Sequence, residues 1–366
     1  MLSPKTRRNI ARIIPFGLIW LTAGVIYSLL ERGLLGHLRY YPSTGNPYNF
    51  AGTLVVTIIT ASLLGLFFGA LEIFYFSGLF ARRTFTSKIV FKTLIYLCIN
   101  IFFLLLNTLI YNSTTLDKSI LDAAVWKNVM MFFFSFSFWS VEVYIAFVIG
   151  ISLFYTEVSE NLGQGVLHNF FVGKYHKPKE EERIFMFLDM KSSTTIAEKI
   201  GHVRYFEMLR EYFADLSDSI VRHSGEIYQY VGDEVVLSWK LKNGLINNNC
   251  IRCFFAMKDE MRKQIEYYHA EFGLLPEFKA GLHIGKVTTG EIGVIKKEII
   301  FTGDVLNTTA RIQGLCNSYE VDILVSAPLM KKLNLHSQFQ AQSLGEKELK
   351  GRGEKIMLYT IMQIPN

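Results

Sequence analysis

Four long apolar stretches, at about residues 10–30, 51–80, 89–111 and 129–155, constrain this 366-residue chain more than any other feature. Each supplies the roughly 20 apolar residues that a helix needs to cross a hydrocarbon core of about 30 Å. No Lys or Arg falls between Gly52 and Phe80, which a bilayer span requires and a buried soluble bundle does not. The first stretch is long-flanked and lacks a small-residue cleavage site, so it reads as a retained span and not a removed signal peptide. Charge divides the same way: residues 1–155 hold 12 Lys/Arg against 5 Asp/Glu, and residues 156–366 hold 26 against 27. The net charge of +6 therefore belongs to the apolar part and gives no reason to expect a nucleic-acid partner. Cys98, Cys250, Cys253 and Cys316 form no disulfide framework and no zinc ligand set, so they read as reduced thiols.

The basic residues set an orientation. Lys5, Arg7, Arg8 and Arg12 precede the first span and Arg82, Arg83, Lys88 and Lys92 surround the second loop, whereas the first and third loops carry only Arg32, Arg39, Lys118 and Lys127. Positive charge stays on the cytoplasmic side, so a multi-pass protein of the cell membrane is expected, with the N-terminus and the C-terminal half in the cytoplasm. Glu72 and Glu142 fall within predicted spans. Such carboxylates usually face a bundle interior or cavity, as a sensing site; interfacial placement or a structural hydrogen bond to a Ser, Thr or Tyr of a neighbouring helix is the equal alternative. The expected organisation is an all-α four-helix transmembrane domain over 1–155, a connector over 156–182 and a second domain over 183–366. The connector has apolar residues near helical spacing, interrupted by Gly163 and Gly165, and suits either a signal-transmitting helix or a plain linker.

From Arg183 onward strands and helices alternate. Strands are expected near 183–189, 225–231, 234–239, 277–284, 287–293, 297–302, 321–325, 338–344 and 356–363, with helices near 193–222, 244–272, 304–317 and 326–333. That pattern predicts an α+β fold with one sheet covered by helices. Asp189 ends the apolar run Ile184 to Leu188, and Asp233 follows Tyr228 to Gly232 on a tight turn between two strands. Either aspartate alone is equally a turn residue capping a strand. Together they suit a hard divalent cation whose shell is completed by water and phosphate oxygens, which points to a nucleoside triphosphate substrate. Asn307 and Arg311 stand four apart on one helix face, an amide to orient an oxygen and a guanidinium for spreading phosphoryl charge.

These motifs closely resemble the catalytic domain of class III adenylate/guanylate cyclases. The likeness covers residues 184–360 and runs through Phe187-Leu-Asp-Met-Lys-Ser-Ser-Thr194, Tyr230-Val-Gly-Asp233, Gly281-Leu-His-Ile-Gly285-Lys286-Val, Gly290-Glu-Ile-Gly293, Gly303-Asp-Val-Leu-Asn307-Thr-Thr-Ala-Arg311 and Leu349-Lys350-Gly351-Arg352-Gly353. It implies a ferredoxin-like βαββαβ domain and a homodimer with active sites at the subunit interface. It also implies conversion of a nucleoside triphosphate to a 3′,5′-cyclic monophosphate and pyrophosphate; the base positions favour ATP and 3′,5′-cyclic AMP. By the same resemblance Asp189 and Asp233, with Met190 beside them, hold two Mg²⁺ or Mn²⁺ ions per site, and the loop from Met190 through Ser193, Thr194 and Thr195 receives the phosphates. Asn307 and Arg311 come from the opposite subunit, and Lys350 and Lys286 contact the triphosphate. Where many adenylate cyclases have a Lys and an Asp or Thr for the base, this chain has Gln229 and Ile300, and the usual guanine pair is also absent. Adenine is favoured because it needs fewer polar partners; a guanylate cyclase and a catalytically silent nucleotide-binding membrane receptor are the alternatives.

Overall fold

The computed structural model describes residues 3–41, 47–80, 83–163, 166–335, 338–349 and 355–364. The chain divides into two compact units, one over Thr6–Leu162 and the other over Gly163–Asn366 with the first five residues.

The first unit is all helix: α1 (Pro4–Leu35), α2 (Phe50–Leu71, continued by a single π-helical turn over Glu72–Phe76), α3 (Phe85–Leu116), α4 (Ala123–Phe133) and α5 (Phe136–Leu162). Four segments, Pro4–Leu35, Phe50–Phe76, Phe85–Leu116 and Phe136–Leu162, are long and apolar enough to cross a membrane, with mean hydropathies of 2.0, 2.4, 2.4 and 1.8. Many of their large apolar side chains point outward, among them Val56, Leu63, Phe102 and Phe147, while Glu72, Lys92, Asn100 and Glu142 are buried. An apolar exterior around a polar interior suits lipid as solvent and would be costly in water. The fourth stretch is not one helix from residue 129. It breaks at Phe134, where the backbone leaves helical geometry, and restarts where the Ser135 hydroxyl accepts a hydrogen bond from the Phe138 amide at 3.1 Å.

The second unit opens with α6 (Val166–Phe171), followed by β1 (Lys179–Met190), α7 (Ser193–Ile200), α8 (His202–Arg222), β2 (Glu226–Val231), β3 (Glu234–Lys240), α9 (Leu241–Leu245), α10 (Asn249–Lys263) and α11 (Ile265–Phe272). It continues with β4 (Phe278–Ile292), β5 (Glu298–Thr302), α12 (Asp304–Gly314), β6 (Ile323–Ser326), α13 (Ala327–Met330), β7 (Phe339–Glu348) and β8 (Lys355–Gln363). One sheet runs in the order β2-β3-β1-β4-β6-β8-β7, and β5 pairs with β4. Its first four strands are mutually antiparallel, with helices between β1 and β2 and between β3 and β4, which is the expected βαββαβ arrangement. Three expected elements differ. The helix expected over 244–272 is divided at Gln264 into α10 and α11. The segments at 277–284 and 287–293 form the single strand β4, because β1 pairs continuously from Lys179↔Thr289 to Met190↔Phe278. The helix expected over 193–222 is divided at Gly201.

Strand periodicity sorts the second core into two layers. In β1, Ile184, Met186 and Leu188 pack beneath α8 and α10 with Tyr212, Leu216, Phe254 and Met257. Alternation sends Phe185, Phe187 and Asp189 to the opposite face, where Phe185 and Phe187 pack with Val236, Val287, Phe301 and Val305 of α12. Cys250, Cys253 and Cys316 are buried free thiols, and Cys98 is exposed and free.

Candidate active site

The last residues of β1 and the turn between β2 and β3 bring two carboxylates together. Val231 pairs with Glu234 across the turn Gly232-Asp233, and Gly232 adopts a positive φ of 63° that lets the hairpin close in two residues. Asp189 pairs with Glu234 of β3 on one side and with Lys279 of β4 on the other. Asp233, one position beyond Glu234, therefore lies beside Asp189. The carboxyl of Asp189 is held above its usual range, first by burial and then by the charge of Asp233, with Lys279 and Gln313 opposing both. Glu234 is pushed up to about 7 by burial and by its two aspartate neighbours.

Asp189 Oδ2 accepts a hydrogen bond from Gln313 Nε2 at 3.1 Å and lies 3.4 Å from Lys279 Nζ. Three acids thus converge with one lysine against them. A divalent cation fits such a donor set: hard carboxylate oxygens, an excess of negative charge and too few protein ligands for a closed cage, leaving positions for water and phosphate. Among the described residues no group of three or more His, Cys, Asp or Glu side chains is arranged to hold a metal ion, so a cation here would have two carboxylates at most as its protein side-chain ligands. Met190 can take part only through its main chain, because its side chain is 2% exposed within the core.

The other predicted residues fall in distinct places. Ser192 turns through a left-handed conformation, φ 56°, and α7 begins at Ser193. The amides at the start of this helix are oriented to receive an anion. The Ser193 hydroxyl is bonded to Tyr205, and Thr194 is exposed. Asn307 is exposed and Arg311 half-buried on α12, and among the described residues neither side chain has a hydrogen-bond or ion-pair partner. The opposite face of α12 is fixed by Val305, Thr308, Thr309 and Ile312, all buried.

Gln229 is exposed on β2, and Ile300 is half-buried on β5, paired with Gly290. The rings of their neighbours Tyr228 and Phe301 meet at a tilt with centroids 4.8 Å apart, and the Phe301 amide donates to the Tyr228 hydroxyl at 3.3 Å, so the two segments are brought together. Lys286 lines a different cleft, about 510 Å³ in volume, with His283, Asp304, Lys331 and Lys355. Neither Asp189 nor Asp233 lines that cleft. Lys350 lies outside the described residues. Sequence reasoning missed Lys279, Glu234 and Gln313, which reach Asp189 through strand register and helix packing; the one local signal was a polar Gln313 two residues beyond Arg311.

A model of the adenylate and guanylate cyclase catalytic domain matches residues 175–363. Adenylate cyclase 2 of Rhizobium meliloti (strain 1021) is 37% identical over 222 residues, covering 61% of this chain and 61% of that protein. Adenylate cyclase 1 of the same organism is 27% identical over 190 residues, covering 50% of this chain and 28% of that protein. The chain thus spans about three fifths or less of the length of these relatives. A bacterial light-regulated adenylyl cyclase has a similar fold, with a TM-score of 0.52 at 20% identity over 62% of this chain and 65% of that one. The matched span is more than half of the sequence, and the chain belongs to the family of the adenylate and guanylate cyclase catalytic domain.

Proposed function

We propose that this protein is a membrane-anchored adenylate cyclase, converting ATP to 3′,5′-cyclic AMP and pyrophosphate as a homodimer. The observation that carries the reading is the meeting of Asp189 at the end of β1 with Asp233 in the β2–β3 turn, in a carboxylate cluster that one lysine leaves under-neutralised. Asp189 and Asp233 would hold two divalent cations, Mg²⁺ or Mn²⁺. When bound, such ions acidify the ribose 3′-hydroxyl and neutralise the triphosphate. The main chain from Lys191 to Thr194 at the start of α7 receives the phosphates, with Lys350 contributing positive charge. The 3′-oxygen loses its proton and bonds to the α-phosphorus in line, the α–β bridging P–O bond breaks, and pyrophosphate leaves with the electron pair.

Asn307 and Arg311 serve the site of the opposite subunit, Asn307 orienting the ribose and Arg311 stabilising the charge that spreads over the α-phosphoryl oxygens. Their lack of partners among the described residues supports this role. Exposed apolar groups support a dimer: Ile227, Tyr230 and Val231 on the outermost strand β2, and Val294 and Ile295 between β4 and β5 at 95% and 104% exposure. Gln229 can both donate to and accept from a purine edge, and Ile300 asks for no polar partner, a combination that suits adenine. The four apolar helices anchor the enzyme in the cell membrane, with the N-terminus and catalytic unit in the cytoplasm.

The test is turnover by the purified full-length protein in detergent, offered ATP and GTP separately with Mg²⁺ and with Mn²⁺. Cyclic AMP from ATP is the expected product, and Asp189→Asn should reduce it by about a thousandfold or more. Cyclic GMP from GTP with ATP inert would reassign the base. No product from a confirmed dimer would overturn the reading in favour of a nucleotide-binding receptor.

A further inference from the structure

Asp189 is supported unevenly. Gln313 Nε2 at 3.1 Å and Lys279 Nζ at 3.4 Å both take Oδ2, and among the described residues Oδ1 has no partner. The arrangement follows from the backbone. Lys279 and Gly281 alternate onto the face of β4 that carries α12, and a Cβ at Gly281 would stand 2.3 Å from the Gln313 nitrogen and 2.6 Å from its Cα. The missing side chain lets α12 lie directly on the strand, and that contact is what carries Gln313 to the end of β1. Gln313 is 7% exposed, so its amide is committed to this place, and Lys279 is tethered a second time by Asn317 Oδ1 at 3.1 Å.

We propose that Gln313 is a positioning residue for the metal-binding carboxylate. By holding Oδ2, it and Lys279 turn Oδ1 of Asp189 toward the divalent cation. The inference rests on the metal role proposed for Asp189. It also gives α12 two tasks in a dimer, since Arg311 faces the opposite subunit's site while Gln313, two residues later, sets the aspartate of its own. A carboxylate freed from both partners would rotate, and a second-sphere loss of this kind typically weakens metal affinity about 10- to 100-fold.

The experiment uses the full-length protein in detergent with an ATP analogue whose α–β bridging oxygen is replaced by methylene, so that it cannot be cyclised, and reads Mn²⁺ binding from the electron paramagnetic resonance signal of the free ion. For Gln313→Met the Mn²⁺ dissociation constant should rise about 10- to 100-fold, and turnover should recover most of its loss at saturating Mn²⁺. A folded variant, with native circular dichroism and elution volume, that binds Mn²⁺ as the unmodified protein does would overturn the proposal. Should Gln313→Met fail to fold, Gln313→Asn, shorter by one methylene, withdraws the amide from Oδ2 while keeping its polarity and must weaken Mn²⁺ in the same direction; unchanged affinity there also overturns it. Asp189→Asn separates the two levels. If that variant abolishes Mn²⁺ binding while Gln313→Met leaves it intact, positioning fails and the metal role stands. If Asp189→Asn also binds normally, the metal role falls and takes the inference with it.

Discussion

Each unit of this molecule gathers a cluster of acids, and the two are balanced differently. In the helical unit Glu72 places Oε1 2.5 Å from Lys92 Nζ and accepts a hydrogen bond at Oε2 from the Tyr96 hydroxyl at 2.7 Å. Glu157 lies 3.2 Å from Lys88 and 3.6 Å from Lys92, and Arg12 pairs with Glu160. Three acids there face three bases. In the catalytic unit Asp189, Asp233 and Glu234 face Lys279. A buried charge neutralised in place needs nothing further and fastens helices, whereas a cluster left net negative waits for a cation to complete it. Glu142 is intermediate: Oε1 accepts from Asn100 at 2.9 Å, and Oε2 is buried without a partner among the described residues.

The largest effect that could break this contrast is expected at Lys92, which is 3% exposed and serves two glutamates. Lys92→Met should cost about 3–5 kcal/mol, because it leaves a buried carboxylate uncompensated while changing little volume. Thermal unfolding of the full-length protein in detergent reads the loss, and the double variant Glu72→Gln/Lys92→Met should regain most of it. A single variant that melts within about 2 °C of the unmodified protein would show that the helical cluster is not balanced as described.

A smaller change should appear where packing holds the catalytic cluster. Gly281→Ala puts a methyl group against the backbone of Gln313, which cannot yield as a flexible side chain would. The expected destabilisation is about 1–3 kcal/mol, since α12 must lift from β4. Asp189 should lose its Gln313 partner as the helix moves, so divalent-cation affinity should fall together with stability. Loss of stability at unchanged affinity would separate packing from the metal site.

What the sequence made legible and what it hid follow from the range of the interactions. The apolar stretches announce four helices because lipid-facing length is a local property, and the strand-edge and turn positions of Asp189 and Asp233 follow from short apolar runs and a Gly-Asp pair. Lys279 and Glu234 were invisible because register across β1, β3 and β4 joins residues 90 and 45 positions away from Asp189. Gln313 needed the absence of a Cβ at Gly281 to become a neighbour at all. In the helical unit, Lys88, Lys92 and Tyr96 sit at four-residue spacing on one face of α3, yet only the fold shows that they meet Glu157 and Glu72. The interruption at Phe134 had no Gly or Pro to announce it.

The smallest effect expected is the most specific to the net-negative cluster. Glu234 titrates at about 7, raised first by burial and then by the charges of Asp189 and Asp233. Its folded value is above that of a free glutamate, so the folded state holds the proton more tightly than the unfolded chain does. The stability this contributes is fully present below the ordinary glutamate range and is lost as pH rises from there through about 7. The site is half-buried, so after allowance for solvent screening the loss should be on the order of 1 kcal/mol. A bound divalent cation would offset the two aspartate charges, returning Glu234 toward its free value and flattening the pH dependence. Thermal midpoints of the full-length protein between pH 5 and 8, with and without Mg²⁺ and an ATP analogue, should therefore converge at low pH and separate at high pH. Glu234→Gln should remove that part of the slope while leaving Asp189 and Asp233 in place. A slope that survives the substitution unchanged would mean that another group carries it, and the three-against-one count at the catalytic cluster would have to be redrawn.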